Sequence, residues 1–169
     1  EVFGGYSFLR LNTTDPEDDV HLNMNGWNAS VAFNANQWAG FVADFGGVYA
    51  TEEEEADGET YGTKVKIHSF MVGPRISIRR EKVTPFFQAL IGMAHVNVND
   101  SKTGEDFNRE NDFSMAFGGG VDVNLTDMIA VRPAQVEYLA IKEGRTGNFS
   151  NSFRYSAGIV LRFGGGKKE

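Results

Sequence analysis

Between Ser152 and Phe163 every second residue is apolar or aromatic, and this run limits the fold more than any other part of the chain. Phe153, Tyr155, Ala157, Ile159, Leu161 and Phe163 share one face. Arg154, Ser156, Gly158, Val160 and Arg162 share the other, because side chains alternate along a strand. The run is twelve residues long, ends in Phe, and sets a broad apolar face against one that is small or charged. That pattern predicts a strand in the wall of a lipid-facing barrel.

The same period recurs along the chain. Glu1–Leu11 reads as a first strand, with both faces partly apolar and its orientation open. Trp27–Asn36 sets Trp27, Ala29, Val31 and Phe33 against Asn28, Ser30 and Asn34; Trp38–Ala50 sets Phe41, Phe45 and Tyr49 outward and Val42, Asp44 and Val48 inward. Lys64–Ile78, Thr84–Val98, Phe113–Val123 and Met128–Lys142 complete a set of eight. In Thr84–Val98 we expect Phe87, Ala89, Ile91 and Met93 outside. Arg132 and Glu137 have opposite parity, so if both point inward an extra residue must intervene near Pro133; proline is tolerated at such bulges.

Connections alternate between long and short. The segments 12–26, 51–63, 99–111 and 143–151 are polar and read as long loops, whereas the other three are tight turns, as expected for extracellular loops and periplasmic turns. The expected fold is all-β: an eight-stranded antiparallel up-and-down transmembrane β-barrel. A soluble lipocalin-like carrier also has eight alternating strands, but it would hold its aromatics inside and expose a charged face. Here the second face is mostly Gly, Ser, Ala and Asn.

Composition sets the outer bounds. With 169 residues the chain suits one domain, spanning 1–163, with 164–169 expected as a flexible tail. It has no cysteine, and its net charge of -7 argues against a nucleic-acid partner. The mean hydropathy of -0.33 does not argue against a membrane barrel, whose lumen residues dilute the average. Glu1 sits just before a strand-like run, so a processed, mature chain is expected.

The residues Phe3-Gly4-Gly5-Tyr6, Val72-Gly73-Pro74-Arg75, Thr84-Pro85-Phe86 and Tyr155-Ser156-Ala157-Gly158-Ile159 through Phe163 carry a resemblance over essentially the whole chain. It resembles a bacterial outer-membrane β-barrel of the small OmpA/OmpX-like kind. The resemblance implies an outer-membrane location, a terminal aromatic strand read by the barrel-assembly machinery, and contact with outer-membrane lipid and lipopolysaccharide. The family pattern ends at the terminal aromatic or continues into a peptidoglycan-binding domain; here Gly164 to Glu169 follow Phe163.

Three groups of residues are candidates for function. Asp44, Arg75, Asp122, Arg132, Glu137, Arg154 and Arg162 are expected as lumen ion pairs: Asp44 with Arg75, Glu137 with Arg154, and Asp122 with Arg132 or Arg162. Trp27, Tyr49, Tyr138 and Tyr155 are expected as the outer aromatic girdle, and Trp38, Phe87 and Phe163 as the inner one. Acidic residues crowd the long loops, Asp15 to Asp19 and Glu52 to Glu55 above all. They form a solvated rim or hold divalent cations against lipopolysaccharide phosphates. The segment 51–63 is expected to be the least ordered. His21, His68 and His95 are dispersed without metal-ligand spacing, so no metal, cofactor or catalytic residue is assigned. A structural or surface-interaction role is the leading reading; a small-solute pore and a lipid-modifying enzyme are the alternatives.

Overall fold

A computed structural model of the chain describes residues 1–12, 21–56, 59–100, 106–108, 112–142 and 149–163. The strands are β1 (Val2–Asn12), β2 (His21–Asn34), β3 (Ala39–Ala56), β4 (Glu59–Ser77), β5 (Val83–Asp100), β6 (Asp106–Asn108), β7 (Asp112–Asn124), β8 (Ile129–Lys142) and β9 (Phe149–Leu161). Each long strand pairs antiparallel with its sequence neighbours and β9 pairs with β1, so eight of them close a barrel. The three-residue β6 lies outside it, paired only with the outer end of β5.

The stagger of the barrel can be read from its registers. The cross-strand partners of Val2 lead through Val31, Ala43, Val72, Ile91, Met115, Ala140 and Asn151 back to β1 at Asn12, ten residues from the start. Ten residues of about 3.3 Å set against eight spacings of about 4.8 Å tilt the strands by about 40° and give a radius of about 8 Å. An interior that narrow is filled by side chains.

Parity decides what fills it. Phe3, Ser7 and Leu9 are buried while Val2 and Tyr6 are exposed, which orients β1. In β5, Phe87, Ile91 and Met93 are exposed, and Phe86, Gln88 and Leu90 are buried. On β8 the register shifts between Arg132 and Gln135 against β9, and between the facing Val121 and Val123 of β7. The extra residue at Pro133–Ala134 lets Arg132, Gln135 and Glu137 all point inward, each at most 1% exposed. Tyr155 donates its hydroxyl to the Pro133 carbonyl at 2.7 Å.

The inner turns are closed by side chains. Asn36 Oδ1 accepts from the amides of Trp38 and Ala39 at 2.9 and 2.7 Å. Thr126 Oγ1 does the same for Met128 and Ile129 at 3.2 and 2.9 Å.

Two expectations need correction at the outer end. β2 begins at His21, six residues above Trp27, and the segment 51–63 is largely strand, not loop. Its ladder runs through Glu52↔Thr63, Glu53↔Gly62, Glu54↔Tyr61 and Glu55↔Thr60 to Ala56↔Glu59. Backbone pairing between two strands does not need apolar side chains once the register below is fixed. The expected tail at 164–169 and most of the first and last long loops lie outside the described residues.

Candidate functional site

The outer part of the lumen is mainly apolar, and the buried arginines lie further in. Leu9, Met24, Val48, Ile67, Met71, Leu90, Leu139 and Ile141 belong to one buried cluster. Beneath it, inward-facing positions carry ions because the tight barrel brings opposite charges within reach of each other.

Arg154 is the hub. Its Nη2 lies 2.8 Å from Asp44 Oδ1 and 2.6 Å from Glu137 Oε2, and its Nε donates to Glu137 at 2.8 Å. Asn28 Nδ2 donates to both Asp44 oxygens, and Gln88 Nε2 donates to Glu137 Oε1 at 2.8 Å. Gly46 leaves room for this arrangement: a Cβ there would stand 2.8 Å from Ser69 Oγ and 3.2 Å from Arg154 Nη1. Gly46→Val is therefore expected to reduce the folded fraction, read by the faster gel migration of the unboiled barrel; unchanged folding would show that the hub has slack.

Asp122 is held by Arg132 Nε at 2.6 Å, with Arg162 Nη2 at 3.7 Å, so both suggested partners reach it. The Arg132 guanidinium lies 4.4 Å from the Phe3 ring centroid and 4.3 Å from that of Phe86. Gly120 makes space for Phe86, whose Cζ would be 2.9 Å from a Cβ there.

The expected Asp44–Arg75 pair does not form. Asp44 faces Met71 and Arg75 faces Gly40 in the same ladder, which puts Arg75 four residues, about 13 Å, nearer the inner end. Arg75 instead donates to Gln88 Oε1 at 2.9 and 2.6 Å and lies 4.4 Å from the Phe86 centroid. Its nearest carboxylate contact is Glu1 at 4.0 Å.

The seven girdle candidates lie on the outer wall, with Trp27, Trp38, Tyr49, Phe87, Tyr155 and Phe163 exposed and Tyr138 half-buried. They do not form two level rings. With the stagger included, Trp27, Tyr138 and Tyr155 sit roughly three residues below Tyr49, and Phe87 roughly four above Trp38 and Phe163. Trp27 reaches up to Tyr49, its Nε1 donating to the hydroxyl at 3.4 Å, and Tyr49 lies 3.2 Å from His68 Nε2.

Two features escaped the sequence reading. His68 and His95 are direct cross-strand partners, not dispersed. Arg10, Lys64, Lys66 and Lys142 are exposed on the outer wall near the outer end, where they and Tyr49 form a collar. Among the residues whose side-chain exposure is described, no exposed acid shares that collar. The parity of Lys64 and Lys66 with Phe70 was the available signal. Fifteen of the chain's 23 acids fall in the four long polar segments, and their weight hid it.

Comparison with known proteins supplies the family. The chain is similar in structure to Ail, the attachment invasion locus protein of Yersinia pestis, in complex with the heparin analogue sucrose octasulfate: identity is 22%, coverage 96% of each chain, TM-score 0.68. It is also similar to Neisserial surface protein A, at 16% identity, 96% coverage of each chain and a TM-score of 0.75. No curated protein matches. The model of the outer membrane protein beta-barrel domain matches residues 2–163. This closed barrel with its buried ion pairs therefore belongs to the outer membrane protein beta-barrel family, in the bacterial outer membrane.

Proposed function

We propose that the protein is a non-conducting surface-contact barrel whose projecting β3–β4 hairpin meets a cationic partner outside the cell. The observation that carries this is the ladder from Ala50↔Val65 to Ala56↔Glu59, which continues past Asn25↔Tyr49, where β2 leaves β3. A paired hairpin presents its residues at lower ordering cost than a free loop. It carries Glu52 to Glu55, and the four long segments together hold fifteen acids against three bases. A sulfated ligand such as the one bound by Ail would meet the wrong charge on them, whereas a basic protein surface would not.

The remaining partners belong to the membrane. The scattered exposed aromatics anchor the wall at the two interfaces, the assembly machinery reads the terminal strand, and divalent cations join the acidic segments to lipopolysaccharide phosphates. Contact is favoured over catalysis, since His68 is engaged by a tyrosine hydroxyl.

Replacing residues 53–62 with an Asn-Gly turn tests the hairpin, because such a turn suits the Glu52↔Thr63 pair. The variant should keep its heat-dependent gel shift. Adhesion of displaying cells to a polylysine-coated surface should fall about tenfold and become insensitive to salt. Undiminished adhesion would refute the proposal.

A further inference from the structure

The wall formed by β4 and β5 combines two features that suit one ligand. Lys64, Lys66 and His68 form an exposed column on β4, and His95 stands opposite His68 on β5. Directly below, the columns become apolar: Phe70, Val72 and Pro74 on β4, Met93, Ile91 and Ala89 on β5. There the wall is indented by a groove of about 390 Å³, lined by Phe41, Val72, Pro74, Ala89, Ile91 and Phe117 among others. Ala89 is small and exposed between the larger Phe87 and Ile91 and opposite Phe117, so the indentation is built by the sequence.

We propose that this wall is a binding site for one lipopolysaccharide molecule, with a lipid A phosphate on Lys64 and Lys66 and an acyl chain in the groove. Charge and span both support that occupant. The cations lie at the end of the barrel where the long segments emerge, the outer-leaflet side, and the groove begins at Val72 and Ile91, six residues or about 20 Å along β4 below Lys66, a distance an acyl chain covers. A second copy of this chain would bring the same cations against each other, and a soluble anion would leave the groove exposed to lipid. The contact is direct, unlike the cation bridge at the acidic segments. It rests on the lipopolysaccharide partnership proposed above but not on the role of the hairpin.

Native mass spectrometry of the refolded barrel in detergent tests it, with EDTA present throughout. The probes are bis-phosphorylated lipid A, its dephosphorylated form and phosphatidylglycerol. The barrel should retain bis-phosphorylated lipid A at least about tenfold better than either of the others, since each interfacial lysine contributes roughly a factor of five. Lys64→Glu with Lys66→Glu should abolish that preference, and Ala89→Phe should weaken retention of both lipid A forms. Arg10→Glu with Lys142→Glu, each three strands away from β4, should change neither, and the gel shift checks folding of every variant. Equal loss from the two charge-reversed pairs would replace the site with a diffuse basic collar. Equal retention of phosphatidylglycerol would overturn the choice of lipid. Retention seen only after calcium is added back would overturn direct contact while leaving the cation bridge standing.

Discussion

Arg154→Ala is expected to destabilise the barrel by about 3 to 5 kcal/mol, because it strands buried carboxylates whose compensating charge has gone. Two of them, Asp44 and Glu137, lie within 2.8 Å of the same guanidinium. Either one alone is costly without its partner, and together they repel. In an Asp44→Asn, Glu137→Gln background the same Arg154→Ala change should cost far less, since little charge remains to strand. Urea unfolding in micelles, followed by the gel shift, measures both costs. Equal costs in the two backgrounds would mean that the hub carries no coupled energy.

The second large effect concerns current. In planar bilayers the native barrel should show little steady conductance, because its radius of about 8 Å is taken up by packed side chains. Two guanidiniums lie against Phe86, and one of them, Arg132, also lies against Phe3. Phe86→Ala with Arg132→Ser removes only the inner part of that obstruction and leaves the Arg154 hub and the apolar cluster above it in place. Conductance should therefore stay low in the double variant, provided the gel shift shows a folded barrel. A large, stable conductance in the native protein would sink the idea of a plugged lumen.

Much of this was legible in the sequence, for a physical reason: lipid on one side and a packed lumen on the other enforce a period of two. Phe153 to Phe163 shows that period directly, and the mismatch between Arg132 and Glu137 located the bulge at Pro133. The orientation of β1 was not legible, because Phe3 and Leu9 are as apolar as Tyr6 and Phe8. Their inward placement follows from particular neighbours, the Arg132 guanidinium for Phe3 and the apolar outer lumen for Leu9. The Asp44–Arg75 pairing failed because depth counted along single strands omits their stagger, which carries a ring of partners ten residues up β1. Glutamates such as Glu52 to Glu55 suggested a loop, yet a ladder rising from a fixed register needs only backbone groups.

The pairing of β9 with β1 also governs how such a chain can be made. Ser7 and Ser156, which meet across that seam, are 149 residues apart, a separation whose loop entropy costs about 4 kcal/mol plus a constant. Nothing is recovered from that cost until the final strand arrives. Before then, two open edges of backbone amides and carbonyls would face hydrocarbon, where each unsatisfied group costs several kcal/mol. A stepwise route through a half-inserted open sheet is thus closed to the free chain in lipid. Insertion and sealing must occur together, or on a surface that lends its own strand edge until β9 takes its place.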